Sequence, residues 1–411
     1  MRKINTSGAR LVRRGTSRQV NRQIVLNLVR EHQPISRVDI ARRLGIGRGQ
    51  VTTLVDELLG DGTVVAGSKG PATGGRRPTY LYVRTADRLA AAIDVRSSRT
   101  AVMLGDFAGR SLGLEQLATP RDPAALVDAV AEQVQVLRDT HAAVGQCEGV
   151  GVVVPGLVDP RTGRVLRAPQ LGWRDVDVRD ALADRLGLPV WVENAPVACA
   201  LSRLWLAPRT GADGSDGDRP PGPPGVGTNF VYITVSDGVG TGLVIDGRVV
   251  RGASHAAGEF GHTPITLDGP ACSCGATGCL EAYTSNPATV ARYREIAGAG
   301  VREPVTIDDV VSRAQAGDDA ATAALRETAR YLGVGLAGIV HAVNPARIYV
   351  GGEIAAAWPL LDEALHLALG ARALTPAAAA TPIVPDTSAH PRLRGAMALV
   401  AAPMFSAPEL A

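Results

Sequence analysis

The sequence predicts an α/β protein in two parts, a winged helix-turn-helix head on a larger two-lobed α/β body. Three observations predict it. Charge is divided unevenly: residues 1–88 carry 17 Lys and Arg against 6 Asp and Glu, a net +11, whereas the remainder carries 26 against 34, a net −8. Within the basic part, Ala41, Gly45 and Val51 recur at the spacing A-x3-G-x5-V between two helical patterns. From about Leu89 onward, apolar strand-like runs alternate with helical ones. At 411 residues, 45% apolar and 20% charged, the chain is globular and too long for one small core.

Residues 1–18, with Arg10, Arg13, Arg14 and Arg18, are expected to form a flexible basic arm. A head over residues 19–84 follows. Its first helix places Val20, Ile24, Leu28 and Val29 on one face, and Pro34 ends it. Ser36 is a suitable N-cap for the next helix, "SRVDIARRLGI". Ala41 then supplies the small residue where two helices cross, Gly45 the turn and Val51 the apolar anchor. The second helix, roughly Gly47 to Leu59, presents Arg48, Gln50, Thr52 and Thr53 near its N-terminal end, where base edges would be met. Two β-rich runs around a glycine-rich tip follow, a wing with Arg76 and Arg77 beside it, suited to phosphates or a minor groove. A helix-turn-helix can also be a protein-docking module. The +11 charge and the arginine pair favour double-stranded DNA.

The body, residues 85–411, opens with an expected β-hairpin at "LAAAIDVRSSRTAVMLGDFAGRSL" and a helix at "PAALVDAVAEQVQVLRDT". "GVGVVVPGLVD" reads as a buried strand running into a loop, and "LPVWVENAPVACALSRLW" as a strand, a polar turn and a helix. Residues 207–228, rich in Pro, Gly and Asp, have almost nothing to bury and are expected to be a disordered loop. Strands resume at "NFVYITVSDGVGTGLVIDGRVV", and long Ala-rich helices carry the rest. Such alternation predicts two lobes with a ligand cleft between them.

Residues 258–281, "GEFGHTPITLDGPACSCGATGCLE", hold three of the five cysteines within eight residues. Cys272, Cys274 and Cys279 with His262 form a closed set of three thiolates and one imidazole, suited to structural Zn2+. Gly269, Gly275 and Gly278 permit the tight path this requires. The alternative is a disulfide, or three unrelated core cysteines, but two sulfurs one residue apart are badly placed to bond each other. Cys147 and Cys199 read as core thiols of a reducing cytoplasm. No signal peptide and no apolar run of 18 residues is found, so neither secretion nor membrane insertion is expected.

Together, the head, "GGRRP", "VVVPGLVD", "VENA", "SDGVGTGLVIDG" and the whole of 258–281 resemble the ROK family of repressors, open reading frames and sugar kinases, over nearly the entire chain. The resemblance implies an actin-like (ribonuclease H-like), two-lobed sugar-kinase fold, with zinc shaping one wall of a hexose site. The helix-turn-helix places the chain with the family's repressors, such as those responding to xylose or N-acetylglucosamine. Residue by residue, the family's sugar contacts fall on Asn194, Glu259, His262 and Glu281.

The kinase machinery does not carry over. Where ROK kinases have an Asp as general base, this chain has Ala195. The phosphate-binding hairpin D-x-G-G-T reads "DVRSS", so that Arg96 and Ser97 replace both glycines and Ser98 replaces Thr. The second phosphate loop, G-T-G in the kinases, reads Ser236-Asp237-Gly238, and a carboxylate there repels phosphate. On the sugar side, Gln170 stands where the family commonly has Asn.

The expectation is a non-enzymatic, cytoplasmic (nucleoid-associated) DNA-binding regulator, a repressor of carbohydrate-related genes. It would act as a homodimer or homotetramer on a DNA operator, with a sugar or sugar derivative as effector. The alternatives are an active ATP-dependent hexose kinase with a DNA-binding head, and a ligand-independent regulator controlled by a protein partner.

Overall fold

In the head, each element follows from a local signal. The computed structural model describes residues 17–70, 77–206, 229–298 and 304–406, so the arm before residue 17, Arg76 and the 207–228 segment lie outside the described residues. Helix α1 (Ser17–His32) leads through the short strand β1 (Ile35–Ser36) to α2 (Arg37–Leu44) and α3 (Arg48–Gly60). Ser36 closes a capping box with Asp39: its hydroxyl accepts the Asp39 N–H, and the Asp39 carboxylate accepts the Ser36 N–H. Gly45, at φ +64°, makes the left-handed turn that separates α2 from α3. Strands β2 (Val64–Lys69) and β3 (Thr79–Val83) pair antiparallel as the wing, with β1 on the other side of β3.

The first lobe comprises β4 (Arg88–Val95), β5 (Arg99–Asp106), β6 (Ser111–Ala118), α4 (Pro123–Thr140), β7 (Gln146–Val154), β8 (Leu157–Asp159), β9 (Arg164–Ala168), β10 (Trp173–Asp177), α5 (Arg179–Leu186), β11 (Val190–Asn194) and α6 (Ala195–Trp205). The second comprises β12 (Phe230–Val235), β13 (Val239–Ile245), β14 (Arg248–Val250), α7 (Leu280–Thr284), α8 (Asn286–Ala297), α9 (Ile307–Gln315), α10 (Asp319–Val343), β15 (Ile348–Gly351), α11 (Trp358–Gly370), α12 (Pro376–Ala379), β16 (Ile383–Pro385) and α13 (Pro391–Phe405). The two main sheets have the same topology. In order β6-β5-β4-β7-β11 and β14-β13-β12-β15-β16, three antiparallel strands are joined by two parallel ones. This repeat is the two-lobed actin-like arrangement.

Two sequence expectations are corrected. The opening hairpin is a three-stranded meander, because β6 continues it beyond the turn at Gly109. No turn separates β11 from α6: Asn194 is itself the N-cap, its Oδ1 accepting the Val197 N–H at 3.2 Å.

Helices α6 and α13 form the waist. Each packs chiefly on the sheet of the opposite lobe, α6 on β12 and β13 and α13 on β4 and β7, and they run against each other. Glycine permits both contacts. A Cβ on Gly151 of β7 would lie 1.9 Å from the Ala396 carbonyl oxygen, and one on Gly395 would lie 2.6 Å from the Ala198 backbone. The far ends of the two helices pack against the head, so head and waist share one apolar core. For this reason α1 is buried on more than its apolar face. Ile24, Leu28 and Val29 are buried, and so are its polar residues Asn21, Gln23, Asn27 and Glu31.

Candidate ligand cleft, metal centre and nucleic-acid interface

A cavity of about 680 Å³ lies between the lobes. Asn194, Glu259, His262 and Glu281 all line it, as do Gln170, Ala195, Asp237 and Arg96, so the residues of both expected half-sites meet in one cleft. Asn194 and Ala195 come from the start of α6, and Glu281 from α7. The Asn194 oxygen is committed to its capping bond, which leaves its amide N–H groups for a ligand. Glu281 is held in place by its own chain: Oε2 accepts the Val239 N–H at 2.9 Å and Oε1 accepts the Ser273 hydroxyl at 2.8 Å. Gly238 permits this approach, since a Cβ there would lie 2.8 Å from Glu281 Oε2. Burial raises the Glu259 carboxyl above its ordinary value; His262 opposes the shift and Glu281 adds to it.

His262, Cys272, Cys274 and Cys279 offer four ligand atoms within 4.8 Å of one another, a set that could hold a metal ion. Cys272 Sγ lies 3.5 Å from His262 Nδ1, and Cys274 Sγ lies 3.8 Å from Cys279 Sγ, far beyond a disulfide bond. All five cysteines are free. The loop is closed by Ile265 N–H donating to the Gly278 oxygen and by Gly278 N–H donating to the Pro270 oxygen. A Cβ on Gly278 would lie 1.9 Å from the Thr266 oxygen at φ +72°, so that position requires glycine. The imidazole turns Nδ1 to the sulfurs and Nε2 toward Glu259, 3.9 Å away.

The side of the cleft formed by the "DVRSS" hairpin is occupied by ion pairs that sequence reading did not find. Arg96, on the hairpin between β4 and β5, donates from Nη1 to Glu353 Oε1 of the second lobe at 2.7 Å and from Nε to Asp94 Oδ2 at 3.1 Å. Asn286 donates to the other Glu353 oxygen at 2.9 Å, and Arg392, in the first turn of α13, pairs with Asp94 at 2.7 Å. Burial disfavours the Arg96 cation, but Asp94 and Glu353 outweigh it and raise its pKa. Burial likewise disfavours the Glu353 carboxylate, yet Asn286 and Arg96 hold its pKa below the ordinary value. Arg96 thus fills the approach that glycine leaves open in a phosphate loop. The only sequence signal for Glu353 was its place after Gly351, which ends β15, and Gly352.

In the head, Arg48, Gln50 and Thr53 are exposed at the start of α3, and Thr52 is half-buried. The Thr52 and Thr53 hydroxyls donate to the Arg48 and Gly49 carbonyls, so toward a base they can act as acceptors or present their methyls. Arg77 is exposed beside the wing, and among the described residues neither it nor Arg48 has an ion-pair partner. Two further exposed cations without such partners, Arg43 of α2 and Lys69 of β2, were not singled out from the sequence. Their signal was the local excess of basic residues alone.

Comparison with known proteins gives a consistent picture. The sequence model of the ROK family matches residues 90–402. A protein of Caldicellulosiruptor sp. (strain Rt8B.4) described as a putative xylose repressor is 30% identical over 351 residues, covering 82% of this chain and 84% of that protein. A ROK family transcriptional regulator, homologous to the E. coli MLC protein, superposes with a TM-score of 0.77 at 24% identity over 95% of this chain and 97% of its own, which shows the shared fold, head included. A ROK family glucokinase from Streptomyces griseus, solved with glucose and AMPPNP, matches with a TM-score of 0.63 at 26% identity, covering 76% of this chain and 98% of its own.

Proposed function

The chain belongs to the ROK family, and on that premise we propose that it is a DNA-binding transcriptional regulator, a repressor of carbohydrate-related genes. A sugar or sugar derivative held in a kinase-like cleft without catalytic machinery is its effector. The observation that carries this reading is the pairing of a winged helix-turn-helix with a cleft whose base position is Ala195 and whose phosphate approach holds the Arg96–Glu353 ion pair. A kinase needs a group to take the hydroxyl proton and donors free for the phosphates. Ala195 cannot supply the first, and Arg96 is engaged elsewhere.

Zinc is the metal we assign to the His262, Cys272, Cys274 and Cys279 set. Tetrahedral zinc with Zn–S bonds of about 2.3 Å separates two sulfurs by about 3.8 Å, and a sulfur from an imidazole nitrogen by about 3.5 Å. The separations of 3.8 and 3.5 Å match both. Zinc would offset two of the three thiolate charges and fix the imidazole through Nδ1, leaving Nε2 to face the cavity. His262, Glu259, Glu281 and Asn194 then present donors and acceptors to ligand hydroxyls from three elements.

Arg48, Gln50, Thr52 and Thr53 are assigned to the DNA major groove, and Arg76 and Arg77 to phosphates or the minor groove. A dimer or tetramer would bring two heads to one operator, and ligand binding would change their relative placement. The test combines two measurements. Fluorescence anisotropy with DNA from upstream of the chain's own gene should show salt-sensitive specific binding. A thermal-shift screen of sugars and phosphosugars should yield ligands that change it. Binding no tighter than to random DNA would refute the regulator reading.

A further inference from the structure

The polar side of α1 is buried where the head meets the body, and the ends of both waist helices lie against it. Gln23 donates from Nε2 to the Met404 carbonyl at 2.7 Å, and Asn27 donates from Nδ2 to the Phe405 carbonyl at 2.9 Å. These carbonyls belong to the last turn of α13, where a helix has no acceptor-satisfying N–H of its own. The head therefore caps α13 with its side chains. Arg30 lies over two rings at once, 5.0 Å from the Trp205 ring centroid and 4.6 Å from that of Phe405. Trp205 ends α6 and Phe405 ends α13, so one cation sits at the C-terminal ends of two helices, where their dipoles favour it.

The other ends of both helices are in the cleft. Asn194 caps α6, and Arg392 in the first turn of α13 pairs with Asp94, which also holds Arg96. Helix α13 has 15 residues, so it spans about 21 Å from cleft to head. Because α6 packs on the second-lobe sheet and α13 on the first-lobe sheet, a rotation of one lobe against the other would slide one helix end past the other. Beside this contact a cleft of about 340 Å³ between head and body is lined by Arg22, Leu26, Arg88, Phe107, Glu148 and Met404 among others.

We propose that Arg30 reads the angle between the two lobes, because its guanidinium bridges the end of a helix carried by each, and that it passes this angle to the DNA-binding head. Arg30 is a positioning residue: it touches neither the cleft nor the DNA-facing residues of α3. The Arg96–Glu353 ion pair sets the angle at the cleft end, holding the lobes together when it is formed. This inference rests on the regulator reading for its purpose but not for its test.

The test uses the full chain without sugar or DNA, so that failure to bind an operator would leave its outcome intact. Amide hydrogen exchange of α2 and α3 is measured in the wild type, Arg96→Gln, Arg30→Met and the double variant. Arg96→Gln should change head protection by about 2- to 30-fold, the range spanned by coupled residues. The same substitution should change it no further in the Arg30→Met background, and Arg30→Lys should partly restore the response. Val311→Ala, in the second-lobe core, should lower stability and leave the head unaffected. Should Arg30→Met fail to fold, Phe405→Leu, which removes one of the two rings, replaces it in the same cycle. No head response to Arg96→Gln, an equal response in both backgrounds, or an equal response to Val311→Ala would each overturn the proposal.

Discussion

Cys274→Ser is the most informative single substitution at the proposed zinc centre. Cys274 is exposed, and exchanging its sulfur for oxygen removes almost no buried apolar surface, so without metal the change should scarcely affect stability. With zinc bound, the loss is large. The metal closes the chain between His262 and Cys279, and closing a loop of that length restrains the open state by about 3 kcal/mol. Apart from metal, the loop is held by backbone bonds such as Ile265 to Gly278 and by side-chain bonds such as Ser273 to Glu281 and Thr266 to Tyr283, none of which involves the Cys274 sulfur. The assay pairs elemental analysis with thermal unfolding in the presence and absence of a strong chelator. The wild type should carry one zinc per chain and lose stability on chelation. The serine variant should lack zinc and be insensitive to chelator. Full zinc in the variant, or a wild type that purifies without zinc and ignores chelator, would refute the ligand set.

Other expectations follow from the same geometry. Zinc retention against a fixed chelator should weaken as pH falls, because burial and neighbouring sulfurs push the metal-free Cys279 thiol up to about 12. Each displaced proton then costs about ten-fold in affinity per pH unit, and retention independent of pH would argue against thiolate ligation. Replacing Arg76 and Arg77 together with alanine should weaken DNA binding across sequences and flatten its salt dependence, whereas Gln50→Ala should shift sequence preference. An unchanged salt slope would mean that the arginine pair does not touch DNA. The wild type should transfer no phosphate from ATP to hexoses, and Ala195→Asp alone should not restore transfer while Arg96 holds Glu353. The same variant should bind a sugar hit about ten-fold tighter or more, because a charged hydrogen bond contributes roughly 1.5–3 kcal/mol. Turnover by the wild type at about 1–100 per second would overturn the regulator assignment.

What the sequence determined by itself was local. The capping box at Ser36, the turn at Gly45 and the thiolate spacing of 272–279 are encoded within a few residues, so composition and spacing make them legible. Alternating strands and helices likewise predicted two lobes and a cleft, and "DVRSS" and Ala195 already marked the phosphate side as altered. Pairings between distant residues were not legible. Arg96 meets Glu353 across 257 positions, and Asn27 caps a helix end 378 residues away. Periodicity placed Val20, Ile24, Leu28 and Val29 on one face of α1 and carried no information about the partners of its polar residues. Tertiary structure decided those partners, because α6 and α13 cross the waist and bring their C-terminal ends to Gln23, Asn27 and Arg30. Whether a polar side chain faces water or a partner depends on which surfaces the folded chain brings together, and that is a property of the whole packing rather than of any window of sequence.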